Sequence, residues 1–312
     1  MSKGWLKSAI KAGALLWPVV IVAGLILVQV QACWSITPDS AAYVELARNL
    51  ASGRGYLYNE EPFYGYPPVF PAMLAAAILL FGDSYLVMRA LMALSALAFL
   101  GVSWLLLRRL VGWRLALFLL WLYGLGSGPL PVQFILSDVP GALFAVLALL
   151  ALLRFERTDY RRGRLGVATL LAAGAMLLAV ATRLGNLTLV GAVVLSFFVL
   201  RRDRLSSRNL RTVLPLVLVV LAAAVAWYAL RLTSSVSVHR HPVLVLLQDK
   251  WDWDSGYLGP LGFLGRTVAN LKVGLWSVGS MLVFRTGTIA PWLRAVPILL
   301  FVLGLTVSLA RR

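Results

Sequence analysis

Long apolar runs broken by short basic stretches dominate the chain. About 20 helical residues cross a hydrocarbon core of about 30 Å, so runs near that length are candidate spans. They lie at Ala12–Trp34, Tyr85–Leu107, Leu110–Gly124, Leu130–Leu153, Leu165–Thr182, Asn186–Leu200, Val213–Leu230 and Trp292–Ala310. The stretch from Leu165 to Leu200 is too long for one helix, and Arg183, Gly185 and Asn186 divide it into a tight hairpin. The pattern predicts an all-α integral membrane protein, a bundle of about eight transmembrane helices, with residues 1–312 as a single membrane domain. Ala12–Trp34 is longer than the apolar core of a signal peptide, and Val30-Gln31-Ala32-Cys33 is a poor cleavage site, so it reads as a retained first helix.

Two stretches between spans are long, 35–82 and 233–291. In the first, Thr37 suits an N-cap and Pro38 the first helical position. Ala42, Tyr43, Leu46 and Leu50 recur at helical spacing, and Gly53 marks the stop. The expectation is a short amphipathic helix lying along the membrane surface. Pro67-Pro68 forces extended backbone before Val69–Phe81, an apolar helix too short to cross and suited to an interfacial or re-entrant position.

Composition sharpens this picture. Of 312 residues, 61% are apolar and 13% charged. A soluble domain holds roughly 45–50% apolar and about 25% charged residues. The formal net charge of +17 invites a nucleic-acid reading. Lys and Arg that fix topology account for it better. With Val69–Phe81 left uncrossed, most of the 29 basic residues fall in short cytoplasmic loops and tails, from Lys3, Lys7 and Lys11 to Arg311-Arg312. That places the N-terminus in the cytoplasm and both long loops on the periplasmic face of a bacterial-type inner membrane. Of the 12 acids, only Glu156, Asp159 and Asp203 fall inside. Trp34, Trp121, Trp227 and Trp292 fall near the outer boundary, as an aromatic belt would. Cys33 is alone, so no internal disulfide forms, and His239 and His241 are the only histidines, which argues against a Cys/His zinc site. Gly126-Ser127-Gly128 reads as a turn, since no span carries a histidine to activate the serine.

Candidate chemistry sits at the outer edge. Asp39, in the first turn of its helix, either complements the helix dipole or serves as a base. Asp138 lies within an apolar stretch, where an ionisable residue is a functional candidate by default; the alternative is a carboxylate that snorkels or pairs with Arg183. Tyr43, one turn after Asp39, either faces the same cavity or packs. In the second long loop, His239-Arg240-His241 and Asp249 to Asp254, with Trp251 and Trp253, suit either a sugar surface or headgroup anchoring.

Several of these strings resemble one family. They are Pro38-Asp39-Ser40, Tyr43, Leu46-Ala47-Arg48-Asn49-Leu50, Gly53-Arg54-Gly55-Tyr56, Tyr66-Pro67-Pro68 and Pro71. With Arg89, Ser137-Asp138-Val139-Pro140 and Thr182-Arg183-Leu184-Gly185, they resemble the GT-C membrane glycosyltransferases over about the first 200 residues. The likeness is greatest to the bacterial branch related to protein O-mannosyltransferases and the lipid A aminoarabinose transferase. The resemblance implies transfer of a sugar from a polyprenyl-phosphate donor to a lipid, glycan or protein acceptor at the outer face. It implies Asp39 as catalytic base and Asp138 as a second catalytic acid residue. Arg183, and more weakly Arg89, Arg240, Arg266 and Lys272, then become phosphate contacts, with Tyr43 and Tyr66 lining the substrate cavity. Some relatives carry an acidic–basic pair just before the double proline, where this chain has Gly65 and Tyr66. A divalent cation bridging Asp39 and phosphate is chemically open, but no metal ligand is assigned. The chain is short for the family, so a compact member, a fragment or one part of a complex is expected. Two alternatives remain, a non-catalytic protein that binds or flips polyprenyl sugars and a membrane transporter. Against the transporter, no inverted repeat is visible and the unusual charges avoid the midplane.

Overall fold

The computed structural model describes residues 19–31, 35–125, 130–160, 165–199 and 207–232, with isolated positions at 262, 265, 268 and 269. The chain divides into two compact units, Met1–Leu120 with Pro131–Ser237, and Trp121–Leu130 with Val238–Arg312. In the second unit the description is limited to the end of one helix, Leu130 and the four isolated helical positions. The span Trp292–Ala310, the His239–Asp254 cluster, Arg266, Lys272 and the basic C-terminus lie outside the described residues.

In the first unit, α1 (Val19–Val28) precedes the first long loop. Helix α2 (Pro38–Ala51) starts at Thr37, whose Oγ1 accepts from Ser40 N at 3.1 Å while Thr37 N donates to Ser40 Oγ at 2.8 Å. This reciprocal pair satisfies two amide donors that a helix start leaves free. Ser52 closes the helix, and Gly53 takes φ +76°, where a side chain would be strained. Helix α3 (Val69–Phe81) follows the double proline with the bounds its sequence predicts. It packs on α2, burying Phe70 and Leu74 against Tyr43, Val44 and Ala47.

Between α2 and α3 the chain forms a small β-hairpin, so the fold is not purely α. Strands β1 (Leu57–Tyr58) and β2 (Glu61–Pro62) pair antiparallel around Asn59 and Glu60, both at positive φ. Such a tight turn matches the natural strand twist. Helix α2 holds the hairpin twice. Asn49 Nδ2 donates to Leu57 O at 2.7 Å, and Glu45 Oε1 accepts from Asn59 N at 2.7 Å.

Helix α4 (Tyr85–Val111) starts at Ser84, whose Oγ accepts from Val87 N at 3.2 Å, and ends at Gly112 with φ +82°. Arg48 of α2 pairs with Asp83 at 2.9 Å and lies over the Tyr85 ring, pinning α2 to the entry of α4. After α5 (Trp113–Leu125) come α6 (Asp138–Phe155), continued by a π-helical turn through Tyr160, then α7 (Val167–Thr182), α8 (Thr188–Val194) and α9 (Ser207–Leu232). Helix α6 packs between α4 and α7, and α7 also contacts α9. Two cores result. One joins α1, α2, α3 and α4; the other joins α6, α7, α8 and α9 around Phe155, Met176 and Leu216.

Three described helices are long and apolar enough to cross a membrane, Tyr85–Val111, Asp138–Tyr160 and Leu210–Leu232. At most 33% of their apolar windows is buried, and Leu94, Leu149, Leu218 and Val225 stand exposed. A water-facing monomer does not carry so much exposed apolar surface, whereas lipid covers it without cost. Other expected spans are shorter. The run Leu130–Leu153 is broken, because Pro131 has no amide donor and only a 3₁₀ turn forms at Leu130–Gln133 before α6 starts at Asp138. Asn186–Leu200 is divided into α8 and a π-helical turn. The hairpin between α7 and α8 does turn at Arg183, with a 3₁₀ turn at Leu184–Leu187.

At the far end of α7, Gly166 provides no capping side chain. The buried Asp159 does this work, accepting from Thr169 N and Thr169 Oγ1, both at 2.8 Å.

Candidate functional site

A cavity of about 260 Å³ opens where the first loop meets the starts and ends of three helices. Asp39, in the first turn of α2, lines it together with Tyr43, Tyr66 and Pro67. The start of α6 contributes Ser137 and Asp138, and the α7–α8 turn contributes Arg183. Arg231, in the last turn of α9, completes the polar lining. The residues come from four segments scattered over the chain. Their meeting is a product of packing, not of local sequence.

Asp138 and Arg183 form an ion pair across the cavity wall, with their side chains 45% and 48% exposed. The pairing raised as an alternative for Asp138 is therefore present, and it stands inside the candidate site. Arg183 is set in place by its neighbours. Asn186 Nδ2 donates to Gly141 O of α6 at 3.2 Å and to Ala179 O of α7 at 2.8 Å. A Cβ at Gly141 would come within 3.3 Å of Arg183 Cβ, so glycine lets the turn close onto α6.

The two tyrosines differ. Tyr43 both packs and borders the cavity. Its ring lies 4.5 Å from Tyr66 and edge-on to Phe70 at 4.9 Å, and its hydroxyl bonds Ser137 Oγ at 2.9 Å. Burial pushes this hydroxyl above the usual tyrosine value. Tyr66 donates its hydroxyl to Asp39 Oδ1 at 2.7 Å. Burial, then this bond to Asp39, push the Tyr66 hydroxyl up as well, which keeps it a donor.

Arg89 is elsewhere. It is 4% exposed, does not line the cavity, and donates to the Gln29 and Gln31 carbonyls just beyond α1. A guanidinium there satisfies carbonyls that a helix end leaves free. Trp227, expected in an aromatic belt, lies edge-on to Tyr56 and Tyr64 at 5.7 Å each and docks α9 onto the first loop.

Sequence reasoning passed over Arg231 as a lining residue, and its signal is faint: an arginine closing a long apolar helix. Gly65 is crowded. A Cβ there would stand 2.3 Å from the Phe63 ring. The donor set suits a divalent cation poorly. Asp39 is engaged by Tyr66 and Asp138 by Arg183, and among the described residues no three His, Cys, Asp or Glu side chains gather.

Helices of the first long loop packed on a bundle of apolar helices, with a polar cavity between, form a fold shared with a solved membrane transferase. The particular match is ArnT, the lipid A aminoarabinose transferase, from Cupriavidus metallidurans. Its structure in the apo state superposes with a TM-score of 0.57 at 23% identity over 93% of this chain. Its structure bound to undecaprenyl phosphate superposes with a TM-score of 0.55 at 24% identity over 92% of this chain. This chain spans 59% and 54% of those two chains. No protein-family model and no curated protein sequence matches it.

Proposed function

We propose that the protein is a GT-C glycosyltransferase that moves a sugar from a polyprenyl-phosphate donor to a lipid, glycan or protein acceptor. The reaction takes place at the extracytoplasmic face of a bacterial-type inner membrane. One observation carries the reading: Asp39 and the Asp138–Arg183 pair, remote in sequence, border one cavity. The fold shared with ArnT, one of whose structures is bound to undecaprenyl phosphate, supports the same class of donor.

The chemistry follows from the groups present. Asp39 takes the proton of the acceptor nucleophile as that atom attacks the anomeric carbon. The bond from anomeric carbon to phosphate oxygen breaks, and its electron pair leaves with the polyprenyl phosphate. Arg183 faces the growing phosphate charge with paired donors. Asp138 holds Arg183 in that orientation. Attack opposite the leaving group inverts the anomeric centre in a single displacement.

The test is a transfer assay with purified protein and a panel of polyprenyl-phosphate sugars, comparing wild type with Asp39→Asn. Transfer by wild type and its loss in Asp39→Asn, with donor binding kept, is the expected result. Donor binding without transfer in wild type would instead assign a binding or flipping protein.

A further inference from the structure

We infer that Arg231 is the second cation of the donor-phosphate site, the guanidinium that makes the cavity able to accept an anion. This inference rests on the reading above. Charge balance leads to it. Apart from Arg231, the charged lining consists of two carboxylates, Asp39 and Asp138, against one guanidinium, Arg183. Asp138 already engages that guanidinium. A phosphodiester entering such a cavity would meet a nearly neutral pair and the carboxylate of Asp39, whose charge the neutral Tyr66 hydroxyl does not cancel and which repels it. During reaction the phosphate itself gains charge, because breaking the bond between sugar and phosphate leaves a monoester with one further negative charge. Positive charge not already committed to an acid is needed, and Arg231 supplies it. It lines the same cavity, and among the described residues no carboxylate pairs with it.

Its position is built. Trp227 lies one turn earlier on the same face of α9. The Trp227 ring sits edge-on to the stacked rings of Tyr56 and Tyr64. Tyr56 in turn donates its hydroxyl to the carbonyls of Tyr66 at 2.9 Å and Pro67 at 3.3 Å, two residues that line the cavity. Aromatic packing thus fixes the end of α9 beside the site, leaving the Arg231 donors for a ligand.

The experiment measures binding of undecaprenyl phosphate to the 312-residue protein in lipid nanodiscs. Wild type, Arg231→Ala and Arg231→Lys are compared, with undecaprenol and inorganic phosphate as parallel ligands. Arg231→Ala should weaken undecaprenyl phosphate binding about tenfold or more, the scale of a lost charge-assisted bond. Binding of undecaprenol should be unchanged, and Arg231→Lys should recover part of the loss. If Arg231→Ala misfolds, Arg231→Gln, which keeps the stem, carries the same comparison. Undecaprenyl phosphate bound equally well by wild type and the neutral variant overturns the inference while leaving the proposed function standing. A wild type that does not prefer undecaprenyl phosphate over undecaprenol overturns both. Inorganic phosphate bound as tightly as the lipid would assign the cation to a free anion and overturn the lipid assignment.

Discussion

Tyr66 and Asp39, 27 positions apart, are joined by a hydrogen bond of 2.7 Å at the cavity rim. The bond occupies one oxygen of the carboxylate, and in the proposed reaction the other meets the acceptor proton. It also fixes the rotation of the Asp39 side chain, which a base needs for productive geometry. The Tyr43 ring packs at a tilt against Tyr66, so the loop and α2 hold this arrangement together.

Tyr66→Phe removes the donor while keeping the ring. Turnover should fall about ten- to 150-fold with donor binding little changed, since a hydrogen bond to a charged group is worth about 1.5–3 kcal/mol. A change confined to donor affinity would speak against a role in orienting Asp39. The bond also has a pH signature. The folded-state hydroxyl titrates above its ordinary value, so its contribution to stability is complete below about pH 10 and declines as pH rises beyond that. Melting curves of wild type in detergent should show this alkaline loss, and those of Tyr66→Phe should show less of it.

The Asp138–Arg183 pair is half-exposed, so solvent screening leaves it worth at most about 1 kcal/mol of stability. Asp138→Asn should therefore melt within a few degrees of wild type while losing most of its transfer activity. A large fall in melting temperature with normal activity per folded molecule would make the pair structural.

Asn186 ties the α7–α8 turn to both α6 and α7. Asn186→Ala should destabilise the protein by about 1 kcal/mol, since Ala179 O keeps the Arg183 amide as a donor. Because the same turn carries Arg183, activity should fall with it. Gly141→Ala should reproduce the activity loss by crowding Arg183. Melting curves and transfer rates of both variants provide the check.

Asp159 offers a control remote from the cavity. Asp159→Ala removes the acceptor for two Thr169 donors and should cost about 1–2 kcal/mol, as cap losses do. Undecaprenyl phosphate binding by the folded fraction should stay unchanged. Gly166→Ala should mimic the stability loss, since its methyl would come within 2.8 Å of the Asp159 carboxylate.

Glu60 holds φ +65° in the hairpin turn. A left-handed residue other than glycine costs about 1–2 kcal/mol. Glu60→Gly should recover part of that, less the entropy glycine loses on folding, and raise the melting temperature slightly. A lower melting temperature would mean that the Glu60 side chain has an anchoring contact.

Some of this was written locally. The capped start of α2, its stop before Gly53, the bounds of α3 and the turn at Arg183 each depend on caps, prolines and glycines within a few residues. The hairpin escaped notice because two-residue strands carry no periodicity, and Asn59-Glu60 lacks the glycine that usually marks such a turn. Arg89 and Arg183 look alike as isolated cations in apolar surroundings. The fold sends one to the carbonyls beyond α1 and the other to the cavity. By itself the sequence determined the apolar runs and the places where they break, because hydrogen-bond caps and periodic side chains act over one or two turns. Only the tertiary structure decided that Asp39, Asp138, Arg183 and Arg231 share one cavity, because contacts between remote segments follow from how whole helices pack, and no local pattern encodes that.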